Sequence, residues 1–226
     1  LGISGSYINL EPRKHTDDGS DPMSSQDGCG NLSLSAKYQV WENAEHEFIL
    51  SVGGEVDLGG TGSKPLGVDS YSTYTPEVYF GKGFGDLPNE LKYLKPLALT
   101  GTMGVSIPSK TLDSNVLEWG FALEYSLPYL QEHVEDVGIP HPFKDLIPLV
   151  EFSMNSPLNR FGETTTGTIN PGILWEGQYC QIGAEAVIPA NQHSGPNVGA
   201  VVQVQFFIDD LFPKIFGHPI FGGEDK

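Results

Sequence analysis

The stretch NVLEWGFALEYSL, residues 115–127, decides the fold class of this chain. Leu117, Trp119, Phe121, Leu123 and Tyr125 take alternate positions, with Glu118, Gly120, Ala122, Glu124 and Ser126 between them. A period of two sends successive side chains to opposite faces of a β-strand, so one face is apolar and the other polar. The pattern recurs outward in both directions. Leu32, Leu34, Ala36, Tyr38 and Val40 alternate with Ser33, Ser35, Lys37 and Gln39. Phe48, Leu50, Val52, Gly54 and Val56 alternate with Glu47, Ser51, Gly53 and Glu55, and Val198, Ala200, Val202, Val204 and Phe206 with Gly199, Gln203 and Gln205.

Ten strand candidates follow, at residues 1–10, 31–41, 46–58, 72–83, 96–108, 116–127, 146–155, 165–175, 179–189 and 198–208. Pro148 and Pro171 have no N–H to give a ladder and are expected at strand ends or bulges. The chain opens directly in the strand-like run LGISGSYINL, with no leader-like segment, so an upstream part is expected to precede it.

Composition narrows the setting. Charged residues make up 18% of the 226 positions, below the roughly 25% of ordinary soluble domains, and glycine is abundant at 28. Twelve Lys and Arg against 29 Asp and Glu leave a formal charge of −17, which argues against nucleic acid because phosphate binding needs a basic face. An acidic balance fits an extracytoplasmic or cation-handling protein, and also plain solvation. No apolar run is long enough for a transmembrane helix, which leaves a β-barrel open.

The connections and aromatic residues point to a membrane. Tight turns at 42–45 and 176–178 fall on one end of an up-and-down arrangement, and the long polar loops 11–30 and 59–71 on the other. Outer-membrane barrels pair short periplasmic turns with longer external loops in this way. Residues 84–95 and 128–145 break the rule, and FGDLPNELKYL and PYLQEHVEDV are expected to form short amphipathic helices at the turn end. Outward-facing Phe48, Phe80, Tyr125, Trp175 and Phe206 are placed near that end, and Tyr7 and Trp119 near the other, as two aromatic girdles would be.

The opposite faces carry Glu47, Glu55, Asp57, Glu77, Glu118, Glu124, Glu151 and Glu185, with only Lys37 opposing them. On a soluble sheet these would face solvent; in a closed barrel they would line a lumen that attracts cations, whether that lumen is open or packed. Other constellations are weak. His15, His46, His133, His141, His193 and His218 share no ligand spacing, and no metal or other cofactor is expected. Asp17, Asp18 and Asp21 resemble part of a calcium loop, but Pro22 stands where glycine is needed. GxSxG, HExxH and P-loop motifs are missing, and no enzymatic activity is expected. Cys29 and Cys180 are expected at opposite ends and unpaired.

The segments EVYFGKGFGDLPNELKYLKPLALTG (77–101), LEWGFALEYSLPYL (117–130) and VQFFIDDLFPKIFGHPIFG (204–222) resemble Gram-negative outer-membrane barrel proteins related to the phenol-degradation MetA-pathway group of putative transporters. The resemblance runs from about residue 31 onward, and GKGFGDLP and FFIDDLFP carry most of it. It implies a place in the cell outer membrane and supplies no catalytic residue. It also implies one or two further strands ahead of Leu1.

The expected fold is therefore all-β: an antiparallel up-and-down transmembrane β-barrel of about ten visible strands, twelve in the full-length protein. Residues 1–208 would form the barrel, lacking its N-terminal part, and 209–226 a periplasmic tail. The first functional reading is passage or binding of small cationic or polar solutes, in contact with membrane lipid and lipopolysaccharide. The second is a structural or assembly barrel anchoring a periplasmic or extracellular protein through its loops or tail. A soluble all-β binding protein and a lipid-acting barrel enzyme are the remaining alternatives.

Overall fold

The computed structural model describes residues 2–10, 26–110, 113–158, 164–211 and 213. Its strands are β1 (Gly2–Ser4), β2 (Tyr7–Leu10), β3 (Gln26–Cys29), β4 (Leu32–Asn43), β5 (Phe48–Leu58), β6 (Thr73–Gly83), β7 (Leu97–Pro108), β8 (Val116–Tyr125), β9 (Leu146–Pro157), β10 (Thr166–Glu176), β11 (Cys180–Pro189) and β12 (Gly199–Phe206). Ten of them form one antiparallel sheet in the order β1-β4-β5-β6-β7-β8-β9-β10-β11-β12, and β2 pairs with β3 separately. The chain is thus all-β with an up-and-down sheet. From β4 to β11 the strands run 10 to 12 residues.

Three sequence expectations need correction. The expected strand at 1–10 breaks at Gly5 and Ser6: β1 joins the main sheet, while β2 turns away to pair with β3, Tyr7 opposite Cys29. Tyr7 therefore belongs to a side hairpin, where its hydroxyl donates to Asp27, and not to an aromatic row on the sheet. Pro171 sits inside β10 rather than at its end. Pairing of β10 with β11 lapses at Asn170 and Pro171 between Ile169 and Gly172, so the missing N–H falls where no ladder bond is made. Pro148, near the start of β9, fits the expected strand-end position.

The two ends of the sheet are built differently. At the loop end, the β2–β3 hairpin is tied to the β5–β6 loop. The Ser63 hydroxyl accepts from the Cys29 N–H at 3.0 Å, and the Asn31 amide donates to the Asp69 carbonyl at 2.9 Å. At the turn end lie the two tight turns and both helical connections, a 3₁₀ helix at Asn89–Leu94 and a helix at Leu127–Tyr129 that runs into a π-helical turn at Leu130–Val134. Both helical expectations hold. Cys29 and Cys180 are free, Cys29 in the hairpin and Cys180 at the turn-end start of β11.

Register carries the alternation from strand to strand. One row reads Tyr38, Val52, Val78, Met103, Trp119, Met154, Gly167 across six pairings, and the next Leu50, Phe80, Gly101, Phe121, Phe152, Ile169, Ile188. Every residue of both rows is apolar or glycine, and Phe121 stacks on Phe152 with ring centroids 4.4 Å apart. None of these side chains is buried: half are exposed, Tyr38 by 73% and Met103 by 57%, and the rest are half-buried. Monomeric soluble proteins rarely expose a contiguous apolar patch beyond a few hundred Å². The buried side chains Ser51, Thr75, Ala122, Ile147 and Leu149 all belong to the other face.

Close packing of that second face gives a direct test. A Cβ on Gly120 would lie 2.4 Å from the Phe152 carbonyl oxygen. Gly120→Ala must therefore move β8 against β9 and should cost about 1–3 kcal/mol, read as a lower denaturant midpoint for loss of β-sheet circular dichroism.

Candidate functional site

The polar face is organised in rows, and glycine makes room for charge. One row runs Lys37, Gly53, Glu77, Gly104, Glu118, Asn155, Thr166 through six consecutive pairings. A Cβ on Gly104 would stand 2.8 Å from the Glu77 Cγ, and one on Gly53 3.2 Å from the Tyr79 ring. Glycine at these two positions lets the flanking long side chains spread over the strand between them. The next row, Gln39, Ser51, Tyr79, Thr102, Gly120, Ser153, Thr168, is wholly polar apart from its glycine.

Other rows hold the remaining carboxylates. Glu55 lies between Ser35 and Thr75; Asp57 lies between Ser33 and Thr73 and accepts from the Ser33 hydroxyl. Glu151 pairs with Ala122 and Asn170, Glu124 with Ala98 and Leu149, and Glu185 with Gly172 and Val201. Lys37, Glu55, Asp57, Glu77, Glu118, Glu124, Glu151 and Glu185 thus share one face, as alternation predicts. The Oδ1 of Asn170, beside Glu151, is buried with no hydrogen-bond partner.

Glu47 lies just outside the strands, at the turn end of that face, where a Cβ on Gly83 would meet its carboxylate at 2.3 Å. Asn43 caps a short 3₁₀ turn, Ala44–His46, and the turn ends on Glu47 in the left-handed region at φ 47°. The strand starts only at Phe48, so Glu47 belongs to the turn end. Its carboxylate accepts from the Gly85 N–H at 2.8 Å. A Cβ on Gly85 would meet Glu47 at 2.2 Å and the Tyr129 hydroxyl at 2.5 Å. Turns that precede β5, follow β6 and follow β8 therefore converge on one point. Burial, and then the Glu47 charge, pushes the Tyr129 hydroxyl up from its ordinary range.

Glu47 stands at the start of β5 and Tyr129 just past the end of β8, three inter-strand steps away, about 14 Å along a flat sheet at ~4.8 Å per step. The long β8–β9 connection brings Tyr129 back across the ends of the intervening strands to Gly85. Leu130, from the same connection, is buried, and so are Ile147 and Leu149, which lie at the turn end of the polar face. Lys92 and Glu135 clamp the two helical connections together at 2.7 Å, and the Tyr93 hydroxyl donates to the same carboxylate at 2.7 Å. The turn end of the polar face thus carries buried Ile147 and Leu149 beside Glu124 beneath a strap, while the rows beyond it are polar.

Between strap and loops lies a cavity of about 580 Å³, lined by side chains from Lys37 on β4 to Asn155 on β9 and including Glu77, Tyr79, Glu118 and Glu151. A hollow walled by six neighbouring strands calls for a curved sheet. Its volume falls in the range of small-molecule sites, about 300–1,000 Å³. Alternation found the carboxylates; the spacing glycines and Tyr79 became visible only through register. The acidic loop with Asp17, Asp18 and Asp21, His15 and His218, and nearly all of the expected tail lie outside the described residues.

No protein-family model matches the chain, and no curated protein matches it.

The strap should respond to pH in a defined direction. Hydrogen bonds from Lys92 and Tyr93 hold the Glu135 carboxyl below its ordinary value of 4.5. A depressed carboxylate contributes stability that is complete above the ordinary value and is lost as pH falls through the lowered one. Amide protection factors in residues 130–134, with the intrinsic pH dependence of exchange divided out, should stay high through neutral and mildly acid pH and fall below the ordinary glutamate range. Lys92→Met should give the low protection already at neutral pH.

Proposed function

We propose that the sheet closes into an outer-membrane β-barrel whose acidic interior binds or passes small solutes, with a preference for cations. The observation that carries this reading is the sorting of side chains across successive pairings: one face apolar and exposed, the other polar and acidic. A soluble sheet protein would bury the apolar face. Here the buried side chains lie on the polar face, as a wall facing hydrocarbon would arrange them. Strands of 10 to 12 residues match the roughly 9–11 needed to cross a bilayer at a tilt. β1 and β12 run antiparallel to each other because the sheet has ten strands, so closure in an even-stranded antiparallel wall needs no change of direction.

In that barrel Glu55, Asp57, Glu77, Glu118, Glu124, Glu151 and Glu185 face the interior against a single Lys37. Carboxylates at close range in a partly dry space favour cations and repel anions. The strapped turn end narrows passage there, and the external loops leave the other end as the entrance. The outer-membrane location and the kinship with the MetA-pathway group belong to the same proposal. A second reading, an anchoring barrel, draws on the turn-end connections, where Tyr93 and Phe143 are exposed apolar side chains beside the strap.

Two measurements test the first reading. Reconstituted in planar bilayers, the protein should carry a cation-selective current, and Glu118→Gln with Glu151→Gln should lower the cation preference without abolishing the conductance. An anion-selective current, or none at all, would overturn passage. Phe121→Arg, on the apolar face, should cost up to about 2–4 kcal/mol of stability in lipid vesicles; a neutral effect there would count against a lipid-facing wall.

A further inference from the structure

We infer that Lys37 is a tethered cation occupying a site for small organic monocations, a primary ammonium or guanidinium group, built from the Tyr79 ring with Glu77 and Glu118. This deepens the proposed function and rests on its reading of an acidic interior reached by solutes. The Lys37 ammonium stands 4.2 Å from the centroid of the Tyr79 ring. Among the described residues it makes no ion pair, although carboxylates surround it on the same face. A cation within about 6 Å of an aromatic face is held by the ring quadrupole, and this is how proteins recognise organic ammonium ligands.

The rest of the arrangement serves that contact. Lys37 and Glu77 flank Gly53 in one row, and the absence of a side chain at Gly53 lets the lysine stem cross β5 to the ring. The Tyr79 hydroxyl donates to Glu77, which fixes the ring and brings a carboxylate to its edge. Glu118 follows Glu77 in the row, across Gly104. Together they line the cavity of about 580 Å³, so a solute has room beside the lysine. Lys37 is the one cationic side chain described on this face, and it cannot neutralise seven carboxylates. An incoming ammonium therefore finds uncompensated charge and an aromatic face already shaped for its chemistry.

The geometry favours an organic cation over a metal ion. Among the described residues no three His, Cys, Asp or Glu side chains group as metal ligands. An aromatic face suits a weakly hydrated, low-charge-density cation rather than a hard divalent one. Lys37 then acts as a specificity-determining residue: a solute must displace its ammonium from Tyr79, or bind beside it against the repulsion of a like charge.

The test uses the folded protein in detergent micelles and n-butylammonium as probe, with affinity measured by calorimetry and saturation-transfer NMR. Lys37→Met vacates the ring and should tighten n-butylammonium binding about tenfold. Combining it with Tyr79→Leu should remove the gain, whereas Tyr79→Phe, which keeps the ring, should retain most of it. Potassium should not show the gain in any variant. Equal affinity for n-butylammonium in wild type and Lys37→Met would overturn the inference, as would an undiminished gain with Tyr79→Leu. If the leucine variant does not fold, wild type against Lys37→Met and Lys37→Met with Tyr79→Phe still decides. Binding as expected in a protein that carries no current would end the passage reading and leave this site standing. A cation-selective current without the binding change would do the reverse.

Discussion

Unbroken register is the constraint on which everything else depends. In an antiparallel sheet, directly opposed residues share a face, so one row of alternation propagates across the whole sheet only while pairing holds. A slip of one residue in any strand would turn its apolar stripe into the acidic side and its carboxylates into the apolar one. From Lys37 to Thr166 the row survives six pairings without such a slip. The bulge between Gln39 and Trp41 lies beyond that row, toward the turn end of β4. There Trp41 meets Phe48 edge to face, with ring centroids 5.3 Å apart.

Charge and packing are balanced along the strand axis rather than across it. Toward the turn end the polar face carries Ile147 and Leu149, buried beneath the helical connection that brings Leu130. Toward the loops it carries Glu77, Glu118, Asp57 and Glu55, with glycine between the larger groups. Carboxylates crowded in a partly desolvated space repel one another, so the fold gains by separating them and by leaving room for a counter-charge. Only Lys37 supplies one from the described part of this wall, and it rests on Tyr79 instead of on a carboxylate. The acidic face and its cavity are thereby linked: the charges that burden the fold are also what would draw a cation in.

Alternation made the carboxylate face legible because it needs only neighbours in sequence. It misplaced the strand start at His46, since the Asn43 cap holds Ala44–His46 in a 3₁₀ turn and Glu47 in the left-handed region, so that β5 begins only at Phe48. It also failed at Tyr7, since LGISGSYINL reads as one strand while the break at Gly5 and Ser6 sends its second half to β3. Asn43 ahead of Ala44–Glu47 is a visible cap signal; nothing local marks β3 as the partner of β2. Gly53 and Gly104 looked like ordinary breaks in a strand pattern, and their role as spacers depends on residues two strands away.

By itself, then, the sequence determined the β class, the number of strands in the main sheet and which side chains share a face, because a period of two is a property of the extended backbone. Tertiary structure alone decided which strands pair, that Lys37 reaches over Gly53 to Tyr79, and that Glu47, Gly85 and Tyr129 meet at the turn end. Those contacts join residues 38 to 82 positions apart, and their geometry exists only once register and curvature have been set.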